Sequence, residues 1–224
     1  MGAIRAVIFD VDGTLVDSND GHARAWVDAL AEAGYQVPFE RIRPLIGMGG
    51  DKVLPLVAGL SSDDAKGKRI AERRDAIFAE RYLPQARPLP GAHDLLRRLY
   101  TEGFRLAVAS SSKKDLLERL LKLVGAEDVF EVTTSSDDVD SSKPDPDVVH
   151  VALERLREPA ADVVMIGDTP YDIEAAGRAH VRAIAFRSGG WKDPDLKDAI
   201  EIYDGPLDLL QHFDASVLAA APVH

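Results

Sequence analysis

The sequence predicts an α/β fold: a parallel sheet with helices on both faces and an all-helical piece inserted after the first strand. Three observations carry this. Short β-rich runs alternate with amphipathic helical stretches through the later part of the chain. A further β-rich run stands alone at the start. The long stretch after it shows no strand pattern. Alternation of this kind requires crossover connections, which are right-handed and leave the strands parallel. An all-helical stretch of about 70 residues is too long for one crossover loop and reads as an insert.

In order, residues 4–10 form the first strand. Residues 21–33 form a helix, with Ala25, Trp26, Ala29 and Leu30 at a three-to-four spacing and Gly34 as its stop. Residues 51–57 form a shorter helix. Residues 62–83 form a long charged one, with Ile70, Ile77, Phe78 and Tyr82 on one face. Pro84, Pro88 and Pro90-Gly91 close the insert, so the expected division is a core of 1–16 and 88–224 around a helical domain of 17–87. Later strands are expected at 105–109, 129–133, 163–166 and 182–186, with a weaker sixth at 200–203. Between them lie helices at 92–102, 113–124, 147–156 and 171–179. Gly103 and Gly125 stand where helix stops are expected. The tail, 215–224, reads as dispensable.

Composition narrows the function. The 224 residues are 46% hydrophobic and 29% charged, as in an ordinary globular protein. A net charge of −11 argues against nucleic acid and anionic membrane as partners. No cysteine is present, which removes disulfides, zinc–thiolate sites and cysteine nucleophiles, and leaves oxygen or imidazole as metal ligands. No run approaches the ~18 apolar residues of a spanning helix. Residues 6–9 run straight into Asp10 and Asp12, unlike a signal peptide. A cytoplasmic protein is expected.

The first strand ends in Asp10-Val11-Asp12-Gly13-Thr14. Residues two apart on extended chain point the same way, so Asp10 and Asp12 face one spot beyond the strand end. Ligands of open α/β sheets bind there. If the fourth strand neighbours the first on the side opposite the second, Asp168, in Gly167-Asp168-Thr169-Pro170-Tyr171-Asp172, arrives at the same spot. Carboxylates ~4 Å apart repel by about 4 kcal/mol per pair at an effective dielectric of about 20. A divalent cation relieves this, and oxygen ligands in an open site favour Mg²⁺. The calcium-loop alternative fails because that pattern needs glycine sixth and glutamate twelfth, whereas here Gly13 is fourth, Gly21 is twelfth, and a strand rather than a helix precedes the motif. Asp-Gly alone would make a simple turn, Ser110-Ser111-Ser112 alone a helix cap, and Lys143-Pro144 alone a solvated loop. Together they supply a carboxylate nucleophile, a second carboxyl for proton transfer, and a hydroxyl, free amides and a lysine for phosphate.

These motifs, in this order and at these separations, resemble the haloacid dehalogenase superfamily of phosphatases, in its helical-cap branch. The resemblance covers about residues 4–190. It implies a Rossmann-like core with strand order 3-2-1-4-5, extended by the sixth candidate, and a cap over 17–87. It further implies Asp10 as nucleophile and Asp12 as general acid/base. Phosphate would be held by Ser110, the Ser111 amide and Lys143. Mg²⁺ would sit on Asp10, the Asp12 carbonyl and Asp168, supported by Asp172. A carboxylate at Asp12 favours phosphate over halide chemistry. In the cap, His22 and Trp26 resemble β-phosphoglucomutase-like members, and the loop from Gly47 to Lys52 resembles phosphoglycolate phosphatases. His22, Gly47 and Lys52 are the candidate specificity residues, with Lys52 a cation for a short phosphorylated acid such as 2-phosphoglycolate. The partner implied is a small phosphorylated metabolite, acted on by a monomer or homodimer. The alternatives are a sugar-phosphate mutase, disfavoured by Gly50 where mutases place an arginine, and a phosphonoacetaldehyde hydrolase using Lys52 as a Schiff base. Outside the family stands a phospho-accepting receiver-like module, about half this length and without a helical insert.

Overall fold

The computed structural model describes residues 3–219. It begins with β1 (Ala6–Phe9), whose four side chains are all buried. A two-residue strand, β2 (Val16–Asp17), leads into α1 (Asn19–Glu32), α2 (Phe39–Ile42), α3 (Gly50–Ala58) and α4 (Ala65–Ile77). A second short strand, β3 (Arg87–Pro88), pairs antiparallel with β2, setting Asp17 opposite Arg87. Then follow α5 (Ala92–Thr101), β4 (Arg105–Ala109), α6 (Lys114–Val124), β5 (Phe130–Thr134) and α7 (Asp147–Leu156). The described chain closes with β6 (Val163–Gly167), α8 (Pro170–Arg178), β7 (Arg182–Phe186), β8 (Glu201–Tyr203) and α9 (Pro206–Gln211).

Six strands form one sheet in the order β5-β4-β1-β6-β7-β8, and every pair in it is parallel. This is the expected 3-2-1-4-5 order with the sixth strand added at the β7 edge. The strands are apolar on both faces because helices cover both. Val7, Phe9, Val108 and Ile166 pack with the leucines of α5 and α6, while Ala6, Ile8, Ala107 and Met165 pack with α7 and α8. The winding reverses at β1, so the carboxyl ends of β1, β4 and β6 frame a crevice. Among the described residues no helix is long and apolar enough to cross a membrane.

The structure departs from expectation in three places. The helix expected over 62–83 is broken at both ends. Residues 61–64 form a turn in which Asp63 N–H donates to Ser61 Oγ at 3.1 Å, the kind of side-chain bond that competes with helix. After α4 the chain widens into a π turn (Phe78–Tyr82) and a 3₁₀ turn (Leu83–Gln85), which keeps Phe78 buried while the Tyr82 hydroxyl reaches Asp28 at 2.9 Å. α2 has only four residues, too few for a helical period to show in the sequence. Finally, the start of the tail is not dispensable: Leu218 is fully buried in the core and Ser216 is nearly so. Residues 220–224 lie outside the described chain.

Candidate active site

β1 hands the chain directly to Asp10, whose N–H continues the ladder to Ile166 O at 2.9 Å. The chain then turns at Gly13, with φ +80; a Cβ there would stand 2.1 Å from both Asp168 Oδ2 and Asn19 Nδ2. Only glycine admits this approach. Beyond β6, Asp168 is followed by a capping box at the start of α8. Thr169 N–H and Oγ1–H donate to Asp172 Oδ2 at 3.0 and 2.6 Å, while Asp172 N–H returns a bond to Thr169 Oγ1. The cap therefore uses one carboxylate oxygen of Asp172 and presents the other to the site.

Three carboxylates converge: oxygens of Asp10, Asp168 and Asp172 all lie within 4.8 Å of one another. Lys143, completely buried after β5, donates to Asp10 Oδ1, to Asp172 Oδ1 at 2.7 Å and to Ala109 O at 3.1 Å. Asp168 accepts from Thr14 Oγ1 at 3.0 Å and from Asn19 Nδ2 at 2.8 Å. Burial pushes the Asp10 carboxyl well up; Lys143 opposes this, and the neighbouring aspartates add to it. Burial and the Asp172 charge push Asp168 up to about 7, against the bonds from Asn19 and Thr14. Burial disfavours the Lys143 ammonium, but Asp10 and Asp172 outweigh it and raise its pKa. One ammonium against three buried carboxylates leaves a deficit of positive charge. Asn19 Oδ1, on the amide that holds Asp168, is a buried acceptor with no partner. All-oxygen donors with unmet demand for positive charge fit a hard divalent cation.

Asp12 is held apart from this triad. Its Oδ1 accepts from Ser18 Oγ at 2.5 Å and faces His22 Nε2 at 2.7 Å, while Oδ2 accepts from Ser112 Oγ at 2.9 Å. Burial alone would raise its pKa; the adjacent His22 and these bonds win and hold it well below the usual range. His22 is itself buried and stacked on Phe78 at 3.7 Å between ring centroids. Arg74 Nη2 approaches its other nitrogen at 3.1 Å. The Arg74 guanidinium also lies over the Trp26 ring at 5.2 Å and donates to Asp75 at 2.8 Å, leaving its Nε–H buried without a partner. Lys113 meets the other Asp75 oxygen at 2.8 Å.

Asp10 and Asp12 open onto a cavity of about 280 Å³ between the carboxyl ends of the strands and the helical insert. The insert is seated on the core. Ser111 Oγ donates to Gly47 O at 3.0 Å, Gly49 N–H to Ser142 Oγ at 2.9 Å, and the Tyr171 hydroxyl to Pro44 O at 2.7 Å. Gly47 has φ +114, and a Cβ there would lie 2.9 Å from Thr169 Cγ2.

The candidate residues thus distribute as follows. Asp10, Asp12, His22, Gly47 and Ser111 line the cavity. Ser110 is buried beneath it, its Oγ accepting Ser112 N–H at 3.0 Å. Asp168, Asp172 and Lys143 meet Asp10 from the core side. The Asp12 side chain does not join the carboxylate triad, leaving only its backbone for a metal. Lys52 does not line the cavity: its ammonium is held by Asp145 at 2.6 Å on the outer edge of the contact between insert and core. The acid preference expected from Lys52 therefore loses its cation. Arg74, Asp75, Ser18 and Asn19 were not anticipated, nor was the bond from Ser112 Oγ to Asp12. Arg74 and Asp75 sit in a helix charged along most of its length, where no local pattern distinguishes one charge from another.

Fold and site together define a Rossmann-like α/β hydrolase with a buried acidic centre beneath a helical insert. The sequence model of the haloacid dehalogenase-like hydrolases matches residues 7–186, and the chain belongs to that family. It is 35% identical over 198 residues to the probable phosphatase IndB of Dickeya dadantii, covering 86% of this chain and 85% of that one. To pyrophosphatase PpaX of Listeria monocytogenes it is 29% identical over 184 residues, covering 80% and 81%. A hydrolase from Pseudomonas syringae superposes with a TM-score of 0.87 at 32% identity, covering 94% of this chain and 98% of that one. The protein is an enzyme of this family, of the phosphatase type for which its relatives are named.

Proposed function

We propose that the protein is a Mg²⁺-dependent phosphatase that hydrolyses a small phosphorylated metabolite through an aspartyl-phosphate on Asp10, with 17–87 as the cap. One observation carries the reading. Among the described residues, Asp10 alone belongs both to the acidic triad and to the cavity lining. A carboxylate oxygen of Asp10 attacks phosphorus, and the bond from phosphorus to the leaving oxygen breaks. Asp12, which takes a proton from the monoanionic phosphate ester as it binds, gives that proton to the leaving oxygen, then takes one from the water that attacks the acyl-phosphate. The ionised Asp12 favoured by His22 is the form the second step requires. Lys143 holds Asp10 in place and balances charge on the transferring group, with Ser110 and the Ser111 amide as phosphate donors. Asp10, Asp168 and the Asp12 carbonyl would hold Mg²⁺, with Asp172 in support. Bound there, it supplies positive charge to the phosphoryl oxygens. Closure of the insert over the cavity excludes bulk water.

The test is phosphate release from p-nitrophenyl phosphate. Steady release over many turnovers is expected with Mg²⁺, and its loss in EDTA. A receiver-like module would stop after one equivalent. Asp10→Asn should keep the circular dichroism of the wild type and abolish turnover. Activity within about tenfold of wild type would overturn the aspartyl-phosphate.

A further inference from the structure

Beyond Asp10 and Asp12, the cavity lining carries the carboxylates of Asp51, Asp75, Asp137 and Asp140 against two cations, Arg74 and Lys113. Neither cation is free. Arg74 Nη1 lies 2.8 Å from Asp75 Oδ1, and Lys113 Nζ lies 2.8 Å from Asp75 Oδ2. One carboxylate therefore occupies both positive groups facing the leaving-group space. His22 adds no charge, because a nitrogen that accepts from Arg74 belongs to a neutral ring. Lys52 cannot substitute while it is tied to Asp145.

We propose that Asp75 determines specificity: by engaging both Arg74 and Lys113, in a lining whose four carboxylates outnumber its two cations, it makes the cavity select phosphomonoesters with a neutral or cationic leaving group and reject a second negative charge. This rests on the phosphatase reading above. A carboxylate or second phosphate entering the cavity would have to displace Asp75 from both partners or sit beside unpaired like charges. Hydroxyl or ammonium groups meet no such penalty. Arg74 and Asp75 are mostly shielded from solvent, with side-chain exposures of 16% and 30%, so bulk ions screen their pair only in part.

The experiment compares kcat/KM for glycerol 1-phosphate, phosphoethanolamine, 2-phosphoglycolate and pyrophosphate at low salt. Phosphoglycolate and pyrophosphate are expected at least about tenfold below the first two. Asp75→Asn should narrow that ratio by about tenfold, and Asp75→Glu should preserve it. A wild-type preference for phosphoglycolate or pyrophosphate would overturn the proposal, as would a ratio unmoved by Asp75→Asn. Failure of the phosphatase reading looks different: no turnover of p-nitrophenyl phosphate at all. Charge selection is then read by calorimetric binding of the same four ligands, in Mg²⁺, to Asp10→Asn and to Asp10→Asn/Asp75→Asn. Tighter binding of the anionic pair to the protein retaining Asp75 would overturn it.

Discussion

His22 Nε2 lies 2.7 Å from Asp12 Oδ1, and Arg74 Nη2 lies 3.1 Å from the opposite ring nitrogen. A guanidinium has no acceptor, so His22 Nδ1 must accept and Nε2 must carry the proton. The ring is neutral and donates to an ionised Asp12. The cap helix α4 thereby sets the tautomer of a histidine on α1, and that tautomer orients the proposed acid/base on the core.

His22 should make stability depend on pH. Burial, aided by Arg74 and opposed by Asp12, lowers its pKa below 6.5. The unfolded chain then holds the proton more tightly, so this contribution is complete above pH 6.5 and is lost as pH falls below it. His22→Gln keeps a donor for Asp12 and an acceptor for Arg74 but cannot titrate. In urea unfolding with saturating Mg²⁺, the wild type should lose up to about 1.4 kcal/mol more than the variant per pH unit below that point. Parallel curves would contradict the neutral histidine.

Lys143→Met should destabilise the protein by about 3–5 kcal/mol, since it strands Asp10 and Asp172 as buried, unpaired charges. Mg²⁺ should restore part of the loss by supplying positive charge to the same carboxylates. Thermal melts with and without Mg²⁺ measure both, and an unchanged Tm would show that Lys143 does not hold the triad together.

At Gly47, valine would meet Thr169 and Tyr171 and adopt a positive φ costing about 1–3 kcal/mol. The loop should lift from the core, so kcat/KM should fall for every substrate, p-nitrophenyl phosphate included. Wild-type kinetics in Gly47→Val would mean that this contact does not seat the cap.

Lys52→Ala should lower or raise kcat/KM for neutral and acidic substrates by the same factor. Its partly exposed pair with Asp145 contributes about 0–1 kcal/mol and lies outside the cavity. A loss confined to phosphorylated acids would return Lys52 to the substrate.

The core was legible because its signals are local. A strand shows in five or six consecutive residues, and a helix stop in one glycine. The insert was less so. A helical period spans several turns, which α2 is too short to display, and the turn at 61–64 depends on side chains that bond their own backbone. Lys52 was misplaced for a related reason: its position in the loop was visible, but Asp145, which captures it, is 93 residues away.

By itself, the sequence determined that Asp10 and Asp12 would share one strand end, because extended backbone repeats every two residues. It also placed Asp168 just before, and Asp172 just inside, the helix expected at 171–179, whereas the Thr169 capping box that fixes Asp172 appeared only in the structure. Only the tertiary structure decided which polar groups pair with which. Lys143 reaches Asp10 across 133 residues of chain, Asn19 reaches Asp168 across 149, and Arg74 reaches His22 across 52. Such pairings follow from where the parallel sheet and the seated insert bring distant side chains, and their strength depends on burial, which no stretch of sequence records.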